Sequence, residues 1–257
     1  MHIRGGRMMN VFMLQLIAMI TMFCDHVAST FLDNLVWMRC VGRFAFPIYA
    51  LLLAEGYRHM RSDRDRVWQH LGGYVILALV SEACYDVLEF KPITITDMAG
   101  SQSALITLLL AFVGLIAIDH WKGRRIYVGS VVLLTALMNY LIKSNYKFAG
   151  VLLVYALYFY LNKMEKLNYG QRLLFLLGIF ACYLPIYHWA RYDFSLTAFV
   201  EKLPGANTWW YLTHILIACL LAGYNGELGI RSKTFHLVYK WFYPAHLLLL
   251  GIIWQLM

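Results

Sequence analysis

The chain has 257 residues, 61% of them hydrophobic and only 14% Asp, Glu, Lys or Arg, against about 25% in ordinary soluble domains. Its formal net charge is +8, carried by short stretches between long apolar runs, so nucleic acid is not the partner this charge implies. A water-soluble domain is excluded, and so is an outer-membrane barrel, whose strands alternate apolar and polar; what remains is an all-α polytopic transmembrane helical bundle.

The N-terminus, MHIRGGRMMN, is basic and leads into a long apolar stretch. That stretch exceeds a signal-peptide core and predicts an uncleaved first helix, span 9–31. It contains Asp25 and His26, and a carboxylate in hydrocarbon costs about 2–3 kcal/mol on insertion scales. The two are adjacent, so they point about 100° apart on a helix and are poor partners for each other.

Span 36–57 carries Arg39 and Arg43, spaced i, i+4 on one face, and Glu55 at its far end; Arg58, Arg61 and Arg64 follow. Span 67–88 carries Glu82 and Asp86, again i, i+4. Asp25, the two arginines and the two carboxylates fall at similar depth, where opposite charges can neutralise one another. Such a network can fix helix packing alone, or it can serve chemistry. His26 as a general base needs an orienting carboxylate from another helix, with Glu82 or Asp86 as candidates.

Spans 104–118, 127–142 and 148–160 are short for a bilayer, which leaves eight or ten spans open beside nine. Span 173–190 follows. Span 208–224 is followed by Asn225 in YNGELG, where Asn-Gly marks a turn. Arg231 and Lys233 lead into span 238–256, which holds His246. His120, His188 and His214 lie at or near helix ends and read as bland.

Fifteen of the 22 Lys and Arg fall in one alternate set of loops and five in the other, with Arg39 and Arg43 inside a span. This bias predicts a cytoplasmic N-terminus, an external C-terminus and nine spans in a single domain, 1–257. The five cysteines all lie in apolar segments without a C-x-x-C pair and read as buried hydrophobes. No spacing of His, Cys and carboxylates demands a metal.

DHVA at 25–28, MRCVGRFAFPIYALLLAEGYRH at 38–59, SEACYDV at 81–87, YNGELG at 224–229 and VYKWFYPAHLLLL at 238–250 resemble the TraX family pattern along essentially the whole chain. Two departures stand out: Val27-Ala28 follow Asp-His where the family usually has an apolar residue and Gly, and Cys84 stands where the family has Pro. The resemblance implies an integral-membrane acyltransferase using acetyl-CoA, as the family's namesake does on the N-terminal amine of pilin. The looser group of transmembrane acyltransferases carries an essential His near a first-helix end.

On that basis His26 is the expected base or acetyl carrier, Arg39 or Arg43 the oxyanion partner, and Asp25 a further catalytic residue. Glu82, Asp86, Glu55, His246 and Asn225 form the expected substrate-binding set. Arg58, Arg61, Arg64, Arg231 and Lys233 are expected to meet the phosphates of acetyl-CoA. The acceptor is then an exported peptide or envelope glycan, with no metal, and a homo-oligomer is left open. Two rivals remain: a proton-coupled transporter, against which no two-half hydropathy repeat is visible, and a non-catalytic assembly subunit of a pilus or secretion machine.

Overall fold

Helices form wherever the apolar runs lead. The computed structural model describes residues 9–32, 35–89, 101–191, 197, 206–230 and 232–257. Among the described residues there are ten helices: α1 (Val11–Phe31), α2 (Val36–Gly42), α3 (Ala45–Met60), α4 (Arg64–Glu89), α5 (Ala104–His120), α6 (Arg125–Leu141), α7 (Lys147–Met164), α8 (Tyr169–Arg191), α9 (Ala206–Ala222) and α10 (Lys233–Leu256). Each of the nine apolar runs falls on a helix, the second being divided between α2 and α3. Among the described residues, five stretches are long and apolar enough to cross a membrane: Val11–Phe31, Val36–Met60, Arg64–Glu89, Tyr169–Arg191 and Lys233–Leu256. Helices α5, α6 and the Trp209–Ala222 part of α9 are apolar but shorter.

The break in the second run has a chemical cause. Pro47 has no N–H to donate to the Arg43 carbonyl, and in a continuous helix its ring would strike that carbonyl. The chain tightens at the break, with Arg43 N–H bonding to Cys40 O and Phe44 N–H to Val41 O, three residues back in each case. It then restarts with Pro47 in the first turn of α3, where N–H groups have no helical partner anyway. Arg43 is therefore held at the C-cap of α2.

Helix α6 is polar inward and apolar outward. Its buried residues are Thr135 and Asn139, while Leu133 is 70% exposed and Leu134, Leu137 and Leu141 also face out. Thr135 shares a hydrogen bond of 2.8 Å with the Tyr155 hydroxyl of α7. This inverted distribution is what hydrocarbon surroundings select, because polar groups must be satisfied within the bundle. Helix α7 is the buried centre of the bundle, packed by α3, α5, α6 and α8 and including the buried tyrosines 155, 158 and 160. Helix α10 packs chiefly on α4 and also on α1.

Cross-contacts sort the helix ends into two groups. Met9 bridges Tyr224, and Phe12 packs on Phe235 at 4.6 Å, which brings together the starts of α1 and α10 and the end of α9. Phe31 meets Trp254 at 6.1 Å, and Gln102 bridges Ser144, at the opposite end.

Candidate functional site

At that opposite end lies a cavity of about 420 Å³ between α1, α2, α3, α4, α5, α8, α10 and the turn that leads into α7. Its wall includes Asp25, His26, Arg39, Arg43, Tyr85, Glu89, Tyr146, Arg191 and Tyr243. All four residues expected to be catalytic thus reach one space.

Asp25 and His26 turn to different neighbours. Arg39 Nη1 lies 3.0 Å from Asp25 Oδ1, an ion pair by distance but without hydrogen-bond alignment at that oxygen. The same nitrogen donates to the Asp25 carbonyl at 3.2 Å. The pair exists because residue 42 is Gly: a Cβ there would collide with the Asp25 side chain, so any other residue would push α2 away from α1. His26 Nδ1 lies 2.7 Å from His246 Nε2 on α10, with ring centroids 4.9 Å apart and planes within 18°, so the two rings meet nearly edge to edge. His246 Nδ1 in turn lies 2.7 Å from the Phe242 carbonyl oxygen. The partner of His26 is thus a second imidazole, where Glu82 or Asp86 had been the candidates.

Arg43 is 8% exposed, and its Nε and Nη2 have no hydrogen-bond partner. Its guanidinium sits 4.4 Å over the Trp210 ring. Trp210 also carries Arg191 at 5.6 Å and stacks on His188 at 5.0 Å and 25°. Arg43 and Arg39 therefore differ: one is ion-paired, the other is held by an aromatic face with N–H groups unspent.

Glu82 and Asp86 do not line the cavity. Glu82 accepts the backbone N–H of Ser103 at 3.0 Å, just before α5, and Asp86 is buried with Oδ1 lacking a partner. Neither pairs with Arg39 or Arg43. His246 lies behind His26 rather than on the cavity wall.

Glu55 and Asn225 lie at the Met9 end. Arg43 and Glu55 are twelve residues apart, about 18 Å of helical rise. Glu55, 3% exposed, binds Arg58 Nε at 3.0 Å, the Tyr224 hydroxyl at 3.2 Å and His59 Nε2 at 3.2 Å. Asn225 Oδ1 accepts the Glu227 N–H at 2.9 Å and Asn225 Nδ2 donates to Glu227 Oε2 at 3.0 Å, closing a turn. That turn presents the carbonyls of Glu227 and Leu228 to the first N–H groups of α1, at 2.8 and 3.2 Å. Its geometry satisfies a helix end rather than facing the cavity.

The cations expected to meet phosphates fare unequally. Arg58 also reaches Leu161 O at 3.2 Å and Glu165 at 3.3 Å. Arg61 donates to the Tyr158 hydroxyl at 2.7 Å and lies 3.6 Å from Asp119. Arg58 is spent within the protein; Arg61 is engaged through Nη1, with its side chain 32% exposed. Arg64 and Lys233 are exposed, and Arg231 lies outside the described residues. Arg172, counted as a loop cation, is 1% exposed and donates to the carbonyls of Leu167, Tyr224 and Met164.

The sequence reasoning missed Glu89, Tyr85, Tyr146, Tyr243, Arg191 and Trp210. Glu89 follows Tyr85 at i+4, so one helix face carries both; the tyrosines had no signal beyond lying at membrane depth.

The TraX protein family model matches residues 11–254. The chain is also 30% identical over 114 residues to the probable fimbrial assembly protein FimC, serogroup H1, of Dichelobacter nodosus. That match spans 41% of this chain and 45% of the relative, so the chain covers about half of that relative's length. No solved structure matches. The family match covers nearly the whole chain, and the protein belongs to the TraX family.

Proposed function

We propose that this member of the TraX family is a membrane acyltransferase working at the cavity shared by His26 and Arg43. The observation that carries the reading is that one space of about 420 Å³ is lined both by an imidazole and by a buried guanidinium with unspent N–H groups. A base beside a pre-set donor is what acyl transfer needs.

His26 Nε2 takes the proton from an acceptor amine or hydroxyl. The acceptor nitrogen or oxygen then bonds to the thioester carbonyl carbon. Arg43 donates to the oxygen that becomes negative, because its Nε and Nη2 have no other partner. On collapse the C–S bond breaks and the thiolate leaves, taking up the proton that His26 received. Arg39, neutralised by Asp25, holds α2 against α1.

The donor in this reading is acetyl-CoA. In this reading the Met9 end faces the cytoplasm of a plasma membrane crossed nine times, supported by the fifteen-to-five cation split. Exposed Arg64 and Lys233 at that end then meet the nucleotide phosphates, in place of Arg58, which is spent, and Arg61, which is engaged by Tyr158. The coenzyme arm runs from the Glu55 end to the cavity, a span of roughly 18 Å at helical rise over the twelve residues from Arg43 at the C-cap of α2 to Glu55 in α3. The acceptor, an exported peptide N-terminus or an envelope glycan, enters from outside.

A second reading is a non-catalytic assembly component, favoured by the name of the FimC relative, a fimbrial assembly protein. Purified protein in nanodiscs, given labelled acetyl-CoA and candidate acceptors, separates the two. Acetyl transfer that disappears in His26→Ala supports the enzyme. Fimbrial assembly that survives His26→Ala with no acetylated product supports the assembly role.

A further inference from the structure

We propose that His246 is a positioning residue that fixes His26 in the tautomer carrying its proton on Nδ1, so that the lone pair on Nε2 is the one offered to the cavity. The consequence for turnover rests on the acyl-transfer reading, whereas the proton arrangement rests on geometry alone.

The Phe242 carbonyl has no proton to give, so His246 Nδ1, 2.7 Å away, is the donor in that bond. A neutral imidazole has a single N–H, which makes His246 Nε2 an acceptor. His26 Nδ1, 2.7 Å from it, then donates. Neutral His26 keeps its lone pair on Nε2. The proton assignment follows from this donor–acceptor chain, which ends on a main-chain oxygen that cannot reverse it.

Three features keep His246 in register. Gly251, just over one turn further along α10, lets the helix lie directly on α4: a Cβ there would come within 3.1 Å of Val87 and Leu88 backbone atoms. Gln255 Nε2 then donates to the Val87 carbonyl at 3.0 Å. The His246 ring is packed by Phe242 at 4.9 Å, Tyr243 at 5.7 Å and Phe23 at 6.2 Å. His246 is 4% exposed and off the cavity wall, so a substrate touches His26 alone. When His26 takes a proton on Nε2, its Nδ1–H bond to His246 strengthens and shares the new charge, which matters beside the cations Arg39 and Arg43 on the same wall.

Protein labelled with 15N-histidine and held in nanodiscs reports the tautomer directly, before any variant is made. The expected result for the wild type is a protonated Nδ1 on His26. His246→Gln supplies an amide oxygen as acceptor, and His246→Leu supplies none. The Leu variant is expected to mix the two His26 tautomers and to lose at least about 100-fold in kcat with little change in KM, while the Gln variant keeps the tautomer and stays within about tenfold. A wild-type His26 protonated on Nε2, or a Leu variant with unchanged kcat, overturns the proposal. Wild-type acetyl transfer by His26→Ala would instead overturn the acyl-transfer reading and leave the tautomer result intact.

Discussion

The Arg43 guanidinium rests 4.4 Å over the Trp210 ring and leaves Nε and Nη2 without hydrogen-bond partners, although the residue is 8% exposed. A buried charge kept in this way is costly, since its attraction to an aromatic face replaces only part of its hydration. Substituting Arg43→Met removes the charge and keeps the length. Stability is expected to stay level or rise, because apolar replacement of a poorly compensated charge is often neutral or favourable. Acetyl transfer is expected to fall by about 10²–10³, the loss typical of one oxyanion donor. Thermal melting in detergent alongside turnover checks both. A lower melting temperature with an unchanged rate would make Arg43 a packing residue.

Asp25 and Arg39 give a different pattern. Their side chains are 16% and 28% exposed, so the ion pair is neither dry nor fully hydrated. Asp25→Asn alone strands Arg39, and Arg39→Gln alone strands Asp25. Each is expected to cost about 1–3 kcal/mol, below the 3–5 kcal/mol of a wholly buried pair because Arg39 keeps some exposure. The double substitution is expected to recover part of that loss. A thermodynamic cycle from melting data measures the coupling, and strict additivity of the two losses would mean that the pair contributes nothing.

Much of this arrangement was legible in the sequence, for identifiable reasons. Nine apolar runs coincide with helices because continuous apolarity in lipid admits little else. The mutual independence of Asp25 and His26 followed from the 100° step of a helix. Pro47 causes the break at Arg43, but the run around it stays apolar throughout, so hydropathy carries no trace of the break. The contact between His26 and His246 joins residues 220 apart, and no local pattern encodes it. Arg58, Arg61 and Arg172 looked like loop cations because their partners Glu165, Asp119 and the Tyr224 carbonyl come from distant segments.

Gly42 sets the distance between α1 and α2, since a Cβ would overlap the Asp25 side chain. Gly42→Ala is therefore expected to destabilise by about 1–3 kcal/mol, the usual cost of overpacking, and to disturb the Asp25–Arg39 contact. The check is a melting curve, together with the same substitution in an Asp25→Ala background. There the clash is relieved and the added cost of Gly42→Ala should shrink. An equal cost in both backgrounds would move the strain elsewhere.

Membrane orientation is open to a direct test. The split of fifteen cations against five predicts that the Met9 end faces the cytoplasm and that Met257 lies outside. A phosphatase reporter fused after Met257 is expected to be active and a fluorescent protein at the same position dark. The reverse result would turn the end that holds both the His26 cavity and Trp254 toward the cytoplasm, and the Met9 end outward.

The Met9 end carries the sharpest contrast between holding the fold and holding a ligand. Arg58 is bound by Glu55 and Glu165, whereas Arg64 and Lys233 are exposed and free to meet an anion. Arg58→Ala leaves Glu55, which is 3% exposed, without its nearest guanidinium. The expected cost is about 3 kcal/mol in stability, because a stranded buried carboxylate loses more than the pair contributed. Coenzyme A affinity, measured by calorimetry on the folded fraction, is expected to stay within about twofold. The double substitution Arg64→Gln with Lys233→Gln is expected to do the opposite: melting unchanged, and binding weakened severalfold with a shallower salt dependence, since exposed cations act on phosphates through screened charge. Coenzyme A binding lost with Arg58→Ala and kept in the double variant would return the phosphate site to the Glu55 cluster.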